Sequence, residues 1–291
     1  MNKSHQYKPT IYFIFAFAIT WLNGFLLVAQ SQQGGEKSII NLLLGYMGPY
    51  IAALLMMYLF ARKPLRADFR YRLFNLRLIN KNYLPFVLFL LPVAMVVSIL
   101  ISIAFGQPVD QLRFAQEFKV FDGEVVLSMI ILVLVPLLEE LGWRGYGVDS
   151  LASKFNLFTT SMIFGALWGI WHLPVFFIKD SYQSGLWAQN PIFAINFFVG
   201  IFPLVIIMNY LFYKNNRSIS LIALFHVLVN YSSELFEADQ ISKCIFTGVL
   251  AVVAVIIIAR NKAFFFNSKM NLSLVEANMA GESMATAQQA S

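Results

Sequence analysis

Long apolar runs alternate with short polar segments along the chain. A helix needs about 20 mostly apolar residues to cross a membrane, because each residue rises ~1.5 Å across a hydrocarbon core ~30 Å thick. The runs that reach or approach this length are Ile11–Ala29, Ile39–Phe60, Tyr83–Phe105, Glu124 to about Ser153, Leu157–Ile178, Ile192–Tyr213, Ser220–Tyr231 and Cys244–Ala259. The pattern predicts an all-α membrane protein, a polytopic bundle of about eight transmembrane helices over residues 1–266. Residues 267–291 are small and polar and are expected to form a disordered cytoplasmic tail.

The composition supports a membrane protein. Of the 291 residues, 59% are apolar and 12% are charged, whereas an average soluble domain carries roughly 25% charged residues. An ordinary cytosolic protein is therefore excluded, and the lipid bilayer is an expected partner. Cys244 is the single cysteine, so an intramolecular disulfide and a cysteine-based metal cluster are excluded as well.

The basic residues indicate how the helices are oriented. With the amino terminus in the cytoplasm, 15 of the 21 Lys and Arg residues fall inside and 5 outside, and Arg144 lies within a span. This asymmetry follows the positive-inside rule, so both termini are expected in the cytoplasm and the protein in an inner or plasma membrane. The rule also accounts for the net charge of +6, and no nucleic-acid partner is expected. Residues 62–81 hold seven of the inside charges and are interpreted as a plain cytoplasmic loop rather than a basic amphipathic helix on the membrane surface.

The fourth segment carries two carboxylates into the membrane. Its apolar run, Val125–Leu138, has 14 residues and spans only ~21 Å, so the helix can cross only by including Glu139 and Glu140. Ionisable residues at membrane depth are costly and by default indicate function. Arg144 follows Glu140 by four residues on the same helix face, which predicts an ion pair. Glu139 is rotated by about 100° from that pair and is left free to react.

Pro136 lies one turn before the carboxylates and is expected to kink the helix and open a water-filled pocket beside Glu139. The alternative is a snorkelling pair of Glu140 and Arg144 near the cytoplasmic interface, with an ordinary proline kink. The Glu-Glu-x-x-x-Arg cluster contains more than snorkelling requires, which favours the functional interpretation.

Two later segments supply further polar groups. If the chain turns near Asn156, His172 lies 16 residues after the turn and Glu139 lies 17 before it, so both reach nearly the same depth. His226 and Asn230 stand at i and i+4 on one helix face. Such a pair suits the stabilisation of an oxyanion, although hydrogen bonds between helices would give the same pattern.

These residues form three ordered motifs, Glu139-Glu140-Leu-Gly-Trp-Arg144, Trp168-Gly-Ile-Trp-His172 and His226-Val-Leu-Val-Asn230. Together they resemble the motifs of the CPBP family, which comprises the type II CAAX prenyl endopeptidases and the bacteriocin-processing or self-immunity (Abi-like) proteins. Each motif is short, and their order and membrane context make the combination specific. The resemblance covers residues 125–231, the motif core of the helical domain. Trp168 stands where the family usually has Phe, so an aromatic wall is retained.

The resemblance implies an intramembrane endopeptidase that acts on a peptide or a membrane-anchored protein. Glu139 would be the general base on a water, and His172 would orient or share its proton. His226 and Asn230 would stabilise the oxyanion. Glu140 and Arg144 would hold the geometry of the pocket.

A zinc cofactor is left open by the sequence. Glu139, His172 and His226 are of the types that provide the three ligands of a catalytic zinc site, and the family is often described as metalloproteases. However, the chain has no His-Glu-x-x-His motif, and the same residues suffice for a mechanism without metal. No other cofactor is expected.

Two other classes of function stay open. A proton-coupled transporter would use the carboxylates and histidines as a relay, but no pair of related halves with interrupted helices is visible. A non-catalytic membrane adaptor would keep the fold and bind a partner helix, although every motif position is retained here. Other intramembrane proteases fit poorly. Asp149 falls one residue late for the Gly-x-Gly-Asp of aspartyl proteases, and no suitable Ser–His pair is found.

We expect reporter fusions after Lys81 and at the carboxyl terminus to show cytoplasmic activity, because 15 basic residues lie on that side in the predicted topology. The measurement is the activity of a reporter that functions only in the cytoplasm. A periplasmic or lumenal signal from either fusion would contradict the eight-helix topology.

Overall fold

The computed structural model describes residues 7–35, 38–115 and 123–267, with the backbone alone for 123–129. The predicted tail lies outside these ranges except for Asn267. All eight predicted segments are helical, and the all-α fold class is confirmed. The α-helices are α1 (Pro9–Gln32), α2 (Ile39–Leu59), α3 (Lys63–Leu73), α4 (Leu84–Ala104), α5 (Gly123–Gly142), α6 (Val148–Ala152), α7 (Leu157–Trp171), α8 (Tyr182–Gln189), α9 (Pro191–Lys214), α10 (Ile219–Glu234), α11 (Gln240–Arg260) and α12 (Lys262–Phe266).

The helices are those of a polytopic membrane protein. Within the described ranges, six stretches are long and apolar enough to cross a membrane, and they contain α1, α2, α4, α7, α9 and α11. The predicted fourth and seventh segments correspond to α5 and α10. α10 has 16 residues and is shorter than a typical span. These two helices carry the carboxylates and one of the histidines of the motifs.

Ordinary capping chemistry starts several of these helices. The side chains of Ser38, Asn156, Ser218 and Asp239 each accept a hydrogen bond from a backbone N–H three residues further on. Each cap satisfies an N–H group that has no partner inside its helix. The cap at Asn156 places the turn before α7 where the sequence predicted it.

The predicted fourth segment is helical throughout but is not one α-helix. After α5 ends at Gly142, residues Trp143–Gly147 form a π-helical turn, here called the π segment, and α6 follows. Single π turns are rare and occur frequently at functional sites. Trp143 and Arg144 of this segment are fully buried. The widened turn therefore comes directly after the two carboxylates.

The backbones of α2 and α5 touch at the start of the π segment. A Cβ atom on Gly142 would lie 2.2 Å from the carbonyl carbon of Pro49 and 2.5 Å from the backbone nitrogen of Tyr50. Only glycine permits so close an approach of two backbones. The hydroxyl of Tyr12 on α1 donates a hydrogen bond to the Pro49 carbonyl over 3.3 Å, so three helices meet here.

A buried cluster of four charged residues lies at the α3 end of the bundle. This ionic network consists of Asp68, Arg72, Asp149 and Arg217, each at most 8% exposed. Arg72 pairs with Asp68 at 3.0 Å and with Asp149 at 3.3 Å. Arg217 bonds both aspartates as well, with its Nη1 atom 3.1 Å from Asp68 Oδ1. Each buried charge thus has two opposite charges around it.

The ionic network is also tied to the π segment. Nη1 of Arg72 donates to the carbonyl oxygen of Arg144 over 3.1 Å, and Nη2 donates to that of Gly145 over 3.4 Å. Burial by itself lowers the pKa of Arg217, but Asp149 and its other neighbours raise that pKa well above its usual value. Arg217 therefore stays charged and the network stays intact.

The interpretation of residues 62–81 as a plain loop is wrong. Residues 63–73 form α3, and its Asp68 and Arg72 are buried in the ionic network instead of facing water. These two residues stand at i and i+4, but their partners Asp149 and Arg217 are distant in the chain. The pattern of local charge therefore did not reveal the burial.

We expect Arg72→Met to lower the free energy of unfolding by about 3 kcal/mol, because removal of one buried charge leaves its carboxylate partners under-compensated. Thermal unfolding of the purified protein in detergent measures the effect. Arg70→Met on the same helix is the matched control, because Arg70 is exposed and its loss should change stability little. Equal stability of the two variants would show that the ionic network does not hold α3 in place.

Candidate active site

Three helices bring the polar motif residues to one cavity. α5 contributes Glu139, the end of α7 contributes His172, and α10 contributes His226 and Asn230. All four line a cavity of about 660 Å³. Glu140 and Arg144 are completely buried behind this group. The six residues predicted from the sequence are therefore brought together, in two layers.

Glu140 is held by two basic partners. Its carboxylate lies 2.8 Å from Nη1 of Arg144, so the ion pair predicted from the i, i+4 spacing is formed. Its Oε1 atom also lies 2.9 Å from Nδ1 of His226. Because an ionised carboxylate can only accept, Nδ1 of His226 carries a proton. Glu140 thereby links α5 to α10.

Arg144 is supported by α7 and α9. Its Nη2 atom donates to Asn209 Oδ1 over 3.4 Å, and Asn209 in turn donates to the hydroxyl of Ser161 over 3.0 Å. The guanidinium carbon lies 5.0 Å from the centre of the Phe164 ring. A buried guanidinium needs such partners, because an uncompensated charge in a low dielectric is costly. Two further helices therefore help to hold the Glu140 carboxylate.

Glu139 has different surroundings from its neighbour. Its Oε2 atom accepts hydrogen bonds from the indole nitrogens of Trp168, at 3.2 Å, and Trp143, at 3.4 Å. Both donors are neutral, whereas Glu140 is bonded to a guanidinium. The side chain is 4% exposed and borders the cavity. Glu139 is thus fixed in position, and no basic side chain of the described residues forms a direct ion pair with it.

His172 ends α7 at the edge of the cavity. Its Nδ1 atom lies 2.6 Å from the carbonyl oxygen of Trp168. A carbonyl can only accept, so Nδ1 carries the proton and Nε2 is the acceptor of the neutral ring. Edge-to-face contacts with Trp171 and Phe197, at 4.8 and 5.2 Å between ring centres, hold the imidazole in place.

Trp168 connects the catalytic candidates to one another. Its indole nitrogen bonds Glu139, its carbonyl accepts from His172, and its ring packs edge-on against His226 at 5.3 Å between ring centres. The sequence assigned it only an aromatic wall. A buried indole N–H normally has a partner, and here that partner is the candidate base.

The residues nominated for zinc do not form a ready-made metal site. Among the described residues, no three His, Cys, Asp or Glu side chains are grouped so that they could hold a metal ion. His226 is engaged by Glu140, and Glu139 by two indoles. The zinc hypothesis stays a prediction, and no step below depends on a metal.

Sequence reasoning missed two supporting residues. Trp143 stands four residues after Glu139, the same spacing that identified Arg144 as the partner of Glu140, so its role could have been found. Asn209 gave no such signal, because its contact with Arg144 joins residues 65 apart in the chain.

The fold and site define an integral membrane protein with an intramembrane carboxylate and histidine centre. A family model described as type II CAAX prenyl endopeptidase, Rce1-like, matches residues 121–232. The chain is also 39% identical over 269 residues to CAAX prenyl protease 2 of Methanococcus maripaludis, which covers 91% of this chain and 98% of the relative. The chain therefore belongs to the CPBP family, among the type II CAAX proteases, and the resemblance seen in the three motifs is confirmed.

We expect Arg144→Ala to reduce stability by about 3–5 kcal/mol, because it leaves the buried Glu140 carboxylate without its cation. The double variant Glu140→Gln/Arg144→Met should recover part of that loss, since neither charge remains. Thermal unfolding of the single and double variants measures the coupling. A double variant no more stable than the sum of the single losses would show that the two residues do not act as a pair.

Proposed function

We propose that the protein is an intramembrane endopeptidase in which Glu139 activates a water molecule for attack on a peptide carbonyl. The difference between the two adjacent carboxylates supports this proposal most directly. Glu140 is fixed by Arg144 and His226, whereas Glu139 borders the cavity and is positioned by neutral donors. A carboxylate that is positioned but not neutralised is suited to accept a proton.

In the proposed step, Glu139 accepts a proton from water as the water oxygen bonds to the carbonyl carbon. The electron pair of the carbonyl moves to its oxygen and forms the tetrahedral intermediate. When this intermediate collapses, the C–N bond breaks and the proton on Glu139 passes to the leaving nitrogen. One water is consumed for each peptide bond.

His226 and Asn230 are proposed to stabilise the oxyanion. Both line the cavity from one face of α10. Nδ1 of His226 is held by Glu140, so a proton carried on the other ring nitrogen, Nε2, would be directed to the oxyanion. Asn230 offers the N–H of its amide.

His172 is proposed to orient the attacking water. Its Nδ1 proton is committed to the Trp168 carbonyl, so Nε2 can accept from the water or share the proton with Glu139. The two side chains border the same cavity, which supports this role.

The proposed substrate is a membrane-anchored protein that ends in a C-a-a-X motif and carries a prenyl group on its cysteine. The relative from Methanococcus maripaludis is named a CAAX prenyl protease. Apolar side chains such as Ile131, Val135 and Leu204 line the cavity and suit an isoprenoid chain or aliphatic residues. The peptide bond to be cleaved would lie beside Glu139, His172 and His226, which line another part of the cavity.

We expect Glu139→Gln to lower kcat on a farnesylated C-a-a-X peptide by about 10²–10⁴-fold, because it removes the general base while preserving the shape of the side chain. His226→Ala should lower kcat by about 10²–10³-fold, because it removes a group proposed to stabilise the oxyanion. The measurement is single-turnover cleavage by purified protein in lipid vesicles, with folding checked by thermal unfolding.

Glu237→Gln is the matched control, because Glu237 is exposed and should be dispensable. Cleavage by Glu139→Gln at the rate of the unmodified protein would contradict the assignment of the base. Activity that is lost on chelation and restored by zinc would show that a metal takes part. Proton transport without cleavage would favour the transporter alternative.

A further inference from the structure

The cavity continues well past the residues assigned to the reaction. On α10, it is lined by His226, Asn230, Ser233 and Glu234, which lie along one face of the helix. The eight residue steps from His226 to Glu234 rise about 12 Å along the helix axis. The cavity therefore extends from the site of chemistry to the end of α10, away from α3.

A polar cluster stands at this far end. It consists of Tyr182, Glu234, Gln240 and Lys243, all of which line the cavity. Nζ of Lys243 lies 3.2 Å from the hydroxyl of Tyr182 and 3.5 Å from Glu234. The hydroxyl of Tyr182 also exchanges hydrogen bonds with the amide of Gln240. In the described part of the wall, Lys243 is the one Lys or Arg side chain.

Lys243 is well placed to meet an anion inside the cavity. Its side chain is only 15% exposed, whereas Glu234 is 50% exposed. The pair between them is therefore weak, since water screens the exposed carboxylate. A second carboxylate brought into the cavity would meet the ammonium beside the Tyr182 hydroxyl, since both groups line the cavity.

The distance from the reaction site fits a short carboxyl-terminal peptide. An extended chain covers about 3.3 Å for each residue, so three residues cover about 10 Å. A scissile carbonyl at the level of His226 and Asn230 would place the terminal carboxylate of a following tripeptide close to the level of Glu234 and Lys243. A longer segment would reach past the polar cluster.

We propose that Lys243 is a specificity-determining residue that binds the terminal carboxylate of the substrate, with Tyr182 as its supporting hydroxyl. This inference rests on the proposed function. It adds a residue that would select substrates in which the terminal carboxylate lies three residues after the cleaved bond. A substrate is then recognised by its free carboxyl end as well as by its lipid. Under the predicted topology this end of the cavity faces the outer side, so the reporter fusions also decide from which side the substrate enters.

The test compares two farnesylated peptides that differ only in a terminal carboxylate or a terminal amide. Binding is measured by fluorescence to full-length protein carrying Glu139→Gln in vesicles of neutral lipid, so that no cleavage is needed. We expect the acid to bind about tenfold or more tightly than the amide, as a charge-assisted hydrogen bond gives. Adding Lys243→Met should make the two peptides bind equally, and Lys243→Arg should restore the preference for the acid.

Lys214→Met is the matched control, because it removes one positive charge at the other end of the bundle, where Lys214 stacks on Phe264. It should leave the preference unchanged. The proposal is overturned if the protein with Lys243 does not distinguish the peptides, as it would if Lys243 bound a lipid phosphate, or if Lys243→Met keeps the preference. Cleavage of the acid peptide by the unmodified protein is measured separately, and its absence would count against the proposed function alone.

Discussion

The rest of the structure depends on one requirement, which is that the buried carboxylate of Glu140 must have partners that stabilise its charge. Glu140 has no exposed surface, and an unpaired charge in that position would cost several kcal/mol. Arg144 compensates it locally, one turn further along the chain. His226, 86 residues away in the chain, donates a hydrogen bond to it and so brings α10 against α5. The same charge that needs neutralising therefore decides where the proposed oxyanion residue lies.

The position of Arg144 is fixed from two sides. Its side chain is held by Glu140, Asn209 and the ring of Phe164, and its carbonyl accepts a hydrogen bond from Arg72. Arg72 belongs to the ionic network, whose other members lie on α3 (Asp68), on α6 (Asp149) and between α9 and α10 (Arg217). Catalytic groups lose much of their effect when they are displaced by as little as 1 Å. Buried charges at the α3 end thus serve the geometry of a site that they do not touch.

Local spacing predicted much of the site, and distant contacts account for what it missed. The Glu140–Arg144 pair followed from the i, i+4 rule, and counting residues to one turn predicted that Glu139 and His172, which line one cavity, are near each other. The eight helical segments followed from their apolar length. The π segment and the burial of Arg72 did not follow, because the contacts of Arg72 with the π segment join residues more than 70 apart. No local pattern carries that information.

The central claim is that the two adjacent carboxylates divide their roles, with Glu140 holding the site and Glu139 activating water without bonding to the substrate. Single-turnover cleavage in ¹⁸O-labelled water, with protein in excess over peptide, tests it most directly. The account predicts one labelled oxygen in the new carboxyl group of the product and no label in the protein fragment that contains Glu139 and Glu140. Label on either glutamate would show that a carboxylate attacked the peptide and would contradict the account.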